Sequence, residues 1–144
     1  MLARKLNRSA IVSYSAEQMY RLVNDIEAYP QFLPHCNGAK ILKASDHSIE
    51  AELRLGKGPI NHSFSTRNTL TPFKKIQLQL LTGPFKQFDG VWLFNDLASG
   101  CEVSFSLTFD FSSMLLNLTA GKWMEDIASE QVDVMCRRAQ QIYG

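Results

Sequence analysis

The sequence predicts an α+β domain: a curved, antiparallel seven-stranded sheet wrapped around a long C-terminal helix, with two short helices after the first strand. Three observations predict it. Apolar residues recur at every second position between residues 38 and 111, turn residues interrupt that alternation repeatedly, and residues 113–143 switch to a helical period. The 144 residues suffice for one buried core, and they read as a single domain over 1–144 without internal repeat, linker or low-complexity stretch.

Residues 5–14 alternate, with Leu6, Ala10, Val12 and Tyr14 on one side and Asn7, Ser9 and Ser13 on the other, which reads as the first strand. Ser15 with Gln18 forms a capping-box pair, and Met19, Tyr20, Leu22 and Val23 follow at helical spacing, predicting a helix over 16–24. The run Tyr29-Pro30-Gln31-Phe32-Leu33-Pro34-His35-Cys36 comes next. Each proline lacks a backbone N–H and biases its predecessor toward extended geometry, so Pro30 and Pro34 bracket at most one helical turn carrying Phe32 and Leu33. Tyr29, Phe32 and Leu33 would each expose apolar area worth about 1.5–3 kcal/mol unless they plug something, so the run reads as a hydrophobic lid.

Six strands are expected after the lid. Ile41-Leu42 opens the series and Ser45-Asp46-His47 turns it; Ile49, Ala51, Leu53 and Leu55 then face inward. Gly56-Lys57-Gly58-Pro59 turns into Ile60, His62, Phe64, Thr66 and Asn68 on one face, and Thr71-Pro72-Phe73-Lys74 turns into Ile76, Leu78 and Leu80. After the Gly83-Pro84 break come Phe88, Trp92 and Phe94, then Ala98-Ser99-Gly100, then Val103, Phe105, Leu107, Phe109 and Phe111. Short turns make the sheet antiparallel, and its polar alternate face leaves one side for solvent and one for a cover. Residues 113–143 supply the cover. Ala120, Met124, Ile127, Ala128, Met135 and Ile142 form a stripe opposite Lys122, Glu125, Asp126, Ser129 and Asp133, on a helix of roughly 45 Å with Gly121 as a candidate bend.

The inward inventory is rich in rings: Phe64, Phe88, Trp92, Phe94, Phe105, Phe109 and Trp123. Such a set either fills an ordinary core or walls a small-molecule pocket, and spacing alone leaves both open. Gln131 and Arg138 fall within the apolar stripe, where they either hold a ligand's oxygens or find a neighbouring strand and water. His62 on the face of Ile60 and Phe64 reads as a satisfied or rim histidine.

Catalysis has little support. His35, His47 and His62 lie on separate segments without a metalloprotease, nucleophile-elbow or Cys–His signature, and Gly56-Lys57-Gly58 is a hairpin turn lacking the strand-to-helix context of a phosphate loop. Glu50, Glu52, Glu102 and Asp110 are expected to alternate outward, away from any cavity. Cys36, Cys101 and Cys136, odd in number and without C-x-x-C, suggest reduced cytosolic thiols and neither a disulfide frame nor a metal site. Met1-Leu2-Ala3-Arg4-Lys5 carries no signal-peptide core and no stretch spans a bilayer, so a cytoplasmic protein is expected.

The net charge of +1 hides an asymmetry: residues 1–86 hold 12 Lys/Arg against 6 Asp/Glu, and residues 87–144 hold 3 against 8. A surface with Arg4, Lys5, Arg8, Lys40, Lys43, Lys57, Lys74 and Lys75 either meets phosphate, from RNA or anionic lipid, or is simply solvated. Lys40, Lys43, Lys74 and Lys75, on outward or turn positions, are the candidates for such a contact.

The element order, with Tyr29-Pro30-x-Phe32-Leu33-Pro34-x-Cys36 and Gly83-Pro84-Phe85-Lys86-x-x-x-Gly90-x-Trp92-x-Phe94, resembles the START-like coenzyme Q-binding protein family over nearly the whole chain. Phe64-Ser65-x-Arg67 and Phe109-Asp110-Phe111 resemble further family positions. The bacterial branch is the ribosome association toxin (RatA) family, within the polyketide cyclase/dehydrase superfamily. His35 departs from an expected aromatic, usually Trp, and Phe88 from a common Leu, both near the proposed mouth.

The resemblance implies a helix-grip fold of the START/Bet v 1-like kind, a cavity for ubiquinone or another isoprenoid lipid, support of respiratory electron transport, and no required cofactor, metal or catalytic residue. It places Tyr29, Phe32, Leu33 and Pro34 at the gate, and Leu53, Leu55, Phe64, Trp92, Phe94, Phe105, Phe109, Trp123, Ile127, Gln131 and Met135 around the ligand. The bacterial branch implies a second activity, binding the large ribosomal subunit and blocking subunit association and so translation. A transient membrane contact is compatible with lipid exchange, and DNA is not an expected partner. A polyketide-cyclase-like enzyme is the outside alternative, needing a polar acid/base set in the cavity.

Overall fold

The computed structural model describes residues 3–144, so the Met1-Leu2 start of the N-terminal reading lies outside the described residues. The chain runs β1 (Arg4–Val12), α1 (Ala16–Asn24), a 3-10 helix (Ile26–Gln31), β2 (Cys36–Ala44), β3 (Ser48–Lys57), β4 (Ile60–Thr71), β5 (Lys75–Thr82), β6 (Phe85–Leu97), β7 (Gly100–Phe111), α2 (Met114–Ser129) and α3 (Gln131–Tyr143). The sheet order is β1-β7-β6-β5-β4-β3-β2, every neighbour antiparallel. Five hairpins thus lay β2 through β7 side by side, and β1 closes onto β7 with Arg4 opposite Phe109 and Val12 opposite Cys101.

The cap of α1 is as the sequence predicts. The Gln18 N–H donates to Ser15 Oγ at 3.1 Å, and the Ser15 N–H donates to Gln18 Oε1 at 2.9 Å. The Ala16 N–H, another orphan donor of the first turn, finds Asp96 Oδ1 at 2.9 Å, pinning α1 to the far end of β6. α3 packs on α1, β1 and β7, while α1 also covers β6, and the most deeply buried large side chains are Phe109, Met19, Ile76, Leu107 and Met135.

Four details differ from the sequence reading. The helical turn of the lid precedes the prolines' interval: the 3-10 helix ends at Gln31 with Pro30 inside it, and Phe32 and Leu33 follow in a bend. Pro30 donates no backbone bond there, and the turn closes through the Phe32 and Leu33 N–H groups, which both donate to the Tyr29 carbonyl, at 3.1 and 2.8 Å. The C-terminal helix is interrupted at Glu130, not bent at Gly121. Gly121 instead admits Arg4, whose guanidinium would lie 2.8–3.1 Å from an added Cβ and which reaches Glu125 at 3.4 Å. Asp110 is buried, not outward: Asn117 Nδ2 donates to its Oδ1 at 3.0 Å, while the Phe111 N–H donates to Asn117 Oδ1 at 3.1 Å. The first turn of α2 folds over the end of β7 and covers its second face. Finally, a bulge between Phe85 and Gln87 turns Phe85 inward alongside Phe88, adding a ring to the cluster of Phe64, Phe88 and Phe111.

Candidate functional site

Between the concave face of the sheet and the α1, lid and α2 cover lies a cavity of about 90 Å³. β3 contributes Ala51, Leu53 and Leu55; β4 contributes Phe64, Thr66 and Asn68; β5 to β7 add Ile76, Leu78, Phe88, Trp92, Phe105 and Leu107. Val23, Ile26, Tyr29 and Leu33 close one side, and Met124, Ile127, Ala128 and Gln131 close another. Large inward residues on a curved sheet cannot all meet a straight helix, and the gap is what remains.

Nine residues of the sequence-derived site line this space: Tyr29, Leu33, Leu53, Leu55, Phe64, Trp92, Phe105, Ile127 and Gln131. The other six lie elsewhere. Phe109 and Met135 are fully buried in solid core, and Phe94 packs edge-on to Tyr20 at 5.7 Å. Trp123 stands 5.8 Å from His35, Pro34 is exposed, and Phe32 is half-buried on the outside of the lid. The period of two puts Thr66 and Asn68 on the inward face, but nothing in the sequence marks these polar side chains as ligand contacts. Val23 and Ile26 carry no such signal, because only the docking of α1 and the 3-10 helix brings them to the cavity.

Polar groups in the wall are few. The Thr66 hydroxyl donates to Asn68 Oδ1 at 2.7 Å. Gln131 does not bond to a strand: its Nε2 donates to the Ile127 carbonyl one turn earlier, at 3.1 Å. Tyr29 is the one titratable lining residue, and its hydroxyl donates to the Val23 carbonyl, fastening the lid to α1. Burial, with Cys36 and Asp25 adding to it, pushes the Tyr29 phenol well above its ordinary range, and burial also raises the Cys36 thiol. A phenol held neutral and already bonded is no acid or base for a cavity guest.

Arg138 spans the outside of the lid. Its guanidinium lies 4.8 Å above the Phe32 ring, and its Nη2 donates to Gln31 Oε1 at 3.3 Å. Arg138 therefore reaches water along the lid rather than entering the cavity. His62, half-buried, has its ring 6.2 Å from that of Phe111, and neither lines the cavity.

The candidate cations divide into two groups. Lys40 stands cross-strand from Glu52 and Lys43 from Glu50, whose ion-pair partner is Arg67 at 3.3 Å, so both lysines have a carboxylate on the neighbouring strand. Lys74 and Lys75 lie at the β4–β5 turn beside Phe73, whose ring is 5.3 Å from the Arg21 guanidinium and edge-on to Tyr20 at 5.6 Å. Among the described residues no helix is long and apolar enough to cross a membrane.

A family described as polyketide cyclase/dehydrase and lipid transport matches residues 12–136. The chain belongs to this family. Within the polyketide cyclase/dehydrase and lipid-transport family it is 42% identical, over 142 residues, to the ribosome association toxin RatA of Vibrio cholerae, with 98% of this chain and 99% of that one covered. It is 28% identical over 143 residues to the mitochondrial coenzyme Q-binding protein COQ10 homolog B of Xenopus laevis, covering 96% of this chain and 59% of that one. The solved Zhui aromatase/cyclase of a Streptomyces species superposes with a TM-score of 0.87 at 14% identity, covering 99% and 96%, a likeness of fold alone. The fold is the START/Bet v 1-like helix-grip, and the resemblance seen in the lid and Gly-Pro-Phe-Lys motifs holds.

Proposed function

We propose that this protein binds an isoprenoid quinone such as ubiquinone, or a similar lipid, in its cavity without transforming it, in support of respiratory electron transport. The observation that carries the reading is an apolar cavity whose lining offers only Thr66, Asn68, Gln131 and an already bonded Tyr29 as polar groups. Cyclase-type chemistry would need an acid or base facing the guest, and this wall has none to spare. The cavity of about 90 Å³ is smaller than the roughly 150 Å³ that accepts benzene and the roughly 300–1,000 Å³ of ligand sites, so binding requires the lid to move outward. Native mass spectrometry of freshly purified protein tests the reading: a co-purified quinone or lipid is the expected result. A protein that emerges empty and whose Trp92 fluorescence does not respond to added decylubiquinone would overturn it.

A second reading is favoured by the 42% identity to a protein named for ribosome association: binding of the large ribosomal subunit, with inhibition of subunit joining and translation. A cytoplasmic protein is compatible with either reading. RNA contacts through phosphates weaken steeply with salt, whereas apolar burial does not. Lys74 and Lys75, grouped with Arg21 around Phe73, are the better candidates, since Lys40 and Lys43 face carboxylates. Reversing Lys74 and Lys75 to Glu is expected to reduce co-sedimentation with large subunits far more than reversing Lys40 and Lys43, with lipid binding intact. A quadruple Glu variant that sediments as wild type would sink the RNA-contact reading.

A further inference from the structure

We propose that Asn68 reads the guest: its side-chain amide donates a hydrogen bond to an acceptor oxygen on an otherwise apolar ring, so the cavity selects ring carbonyls over hydrocarbons of the same shape. This rests on the cavity-binding reading above. Asn68 is only 6% exposed, yet it lines the cavity. Its cross-strand neighbours are Ile49 and Leu78, and the inward positions on either side along β4 are Thr66 and Leu70. Its Oδ1 is committed to the Thr66 hydroxyl at 2.7 Å, which orients the amide and leaves Nδ2 as the free end. Among the described residues the bond to Thr66 is the one hydrogen bond of the Asn68 side chain, and Nδ2 is not one of the fully sealed polar atoms without a partner, so it keeps open space beside it.

A buried amide without a partner is costly, and an apolar residue in this position, like Phe64 and Leu70 on the same face, would avoid that cost. The low-dielectric wall of Ile76, Leu78 and Leu107 makes any bond that Nδ2 does form stronger than it would be in water. A ring with a carbonyl satisfies the donor and fills the apolar space in one step. A hydrocarbon fills the space but leaves the donor stranded.

Duroquinone and durene test this directly, because they share a ring and its methyl groups, differ by the carbonyl oxygens, and leave no ring position open to the cysteine thiols. Calorimetric titration of the wild-type chain is expected to show duroquinone bound about tenfold more tightly than durene. In Asn68→Leu the preference should fall to about one. Because that variant strands the Thr66 hydroxyl, Thr66→Val/Asn68→Leu is measured beside it, replacing both partners by apolar groups, and it should also show no preference. Durene and duroquinone binding the wild type equally, or a preference that survives in a folded variant, would overturn the role of Asn68 while leaving the cavity reading standing. Binding of neither probe would overturn both. Tighter binding of the hydroquinone than the quinone would mean that the amide oxygen faces the guest, and would also overturn the assignment.

Discussion

Phe32 and Leu33 are adjacent and equally apolar, yet different forces hold them. Leu33 is 6% exposed, lines the cavity, and donates its backbone N–H to the Tyr29 carbonyl at 2.8 Å. Phe32 lies half-buried on the other side of the lid, between the edge of Tyr29 at 5.8 Å and the Arg138 guanidinium. Leu33→Ala is therefore expected to lower unfolding stability by about 2–4 kcal/mol, as truncation of a buried leucine does. Phe32→Ala should cost about 1 kcal/mol, the scale of an exposed cation–π contact with some area burial. Urea denaturation separates the two, and equal, small losses would show that Leu33 is not part of the core. The sequence reading joined them because proline spacing marks an interrupted segment without saying which side chain turns inward.

At the scale of elements, the strands were legible wherever one face is buried and one is wet, because that condition imposes the period of two. The reading failed where the condition fails. Phe85 departs from the alternation because the β6 bulge flips the pleat between it and Gln87, and Asp110 is covered on the face that should meet water because Asn117 of α2 takes its carboxylate. Nothing in the composition of residues 113–143 marks Glu130 as the interruption, since its backbone stays near helical geometry with φ −92° and ψ −4°. The Gly83-Pro84 break, by contrast, was visible, and the structure gives its reason. Gly83 has φ +145°, and a Cβ there would fall 2.6 Å from the Cβ of Phe64. Gly83→Ala is expected to destabilise the protein by more than about 1 kcal/mol, lowering the thermal midpoint, because both the backbone conformation and the space exclude a side chain. An unchanged midpoint would mean that the β5–β6 corner relaxes freely.

For the whole molecule, the ring-rich inward face is compatible with a filled core or a cavity, and only the family resemblance favours the cavity; its volume is not legible at all, because volume depends on how closely the lid and α2 settle onto the sheet. The lid is held in two places: inside by the Tyr29 hydroxyl on the Val23 carbonyl, and outside by Arg138 on Phe32 and Gln31. Arg138 is a long, flexible side chain, so its contact with Phe32 and Gln31 is expected to follow the lid and re-form once the lid has settled over a guest. It therefore contributes to empty and filled states alike and is lost only while the lid is open. Arg138→Ala is expected to leave the dissociation constant for decylubiquinone nearly unchanged and to accelerate both its entry and its exit several-fold, read by stopped-flow quenching of Trp92. A change in affinity with unchanged rates would contradict this. A half-buried arginine outside the cavity lining would then set how long a guest stays, making residence time and affinity separately adjustable properties of one fold.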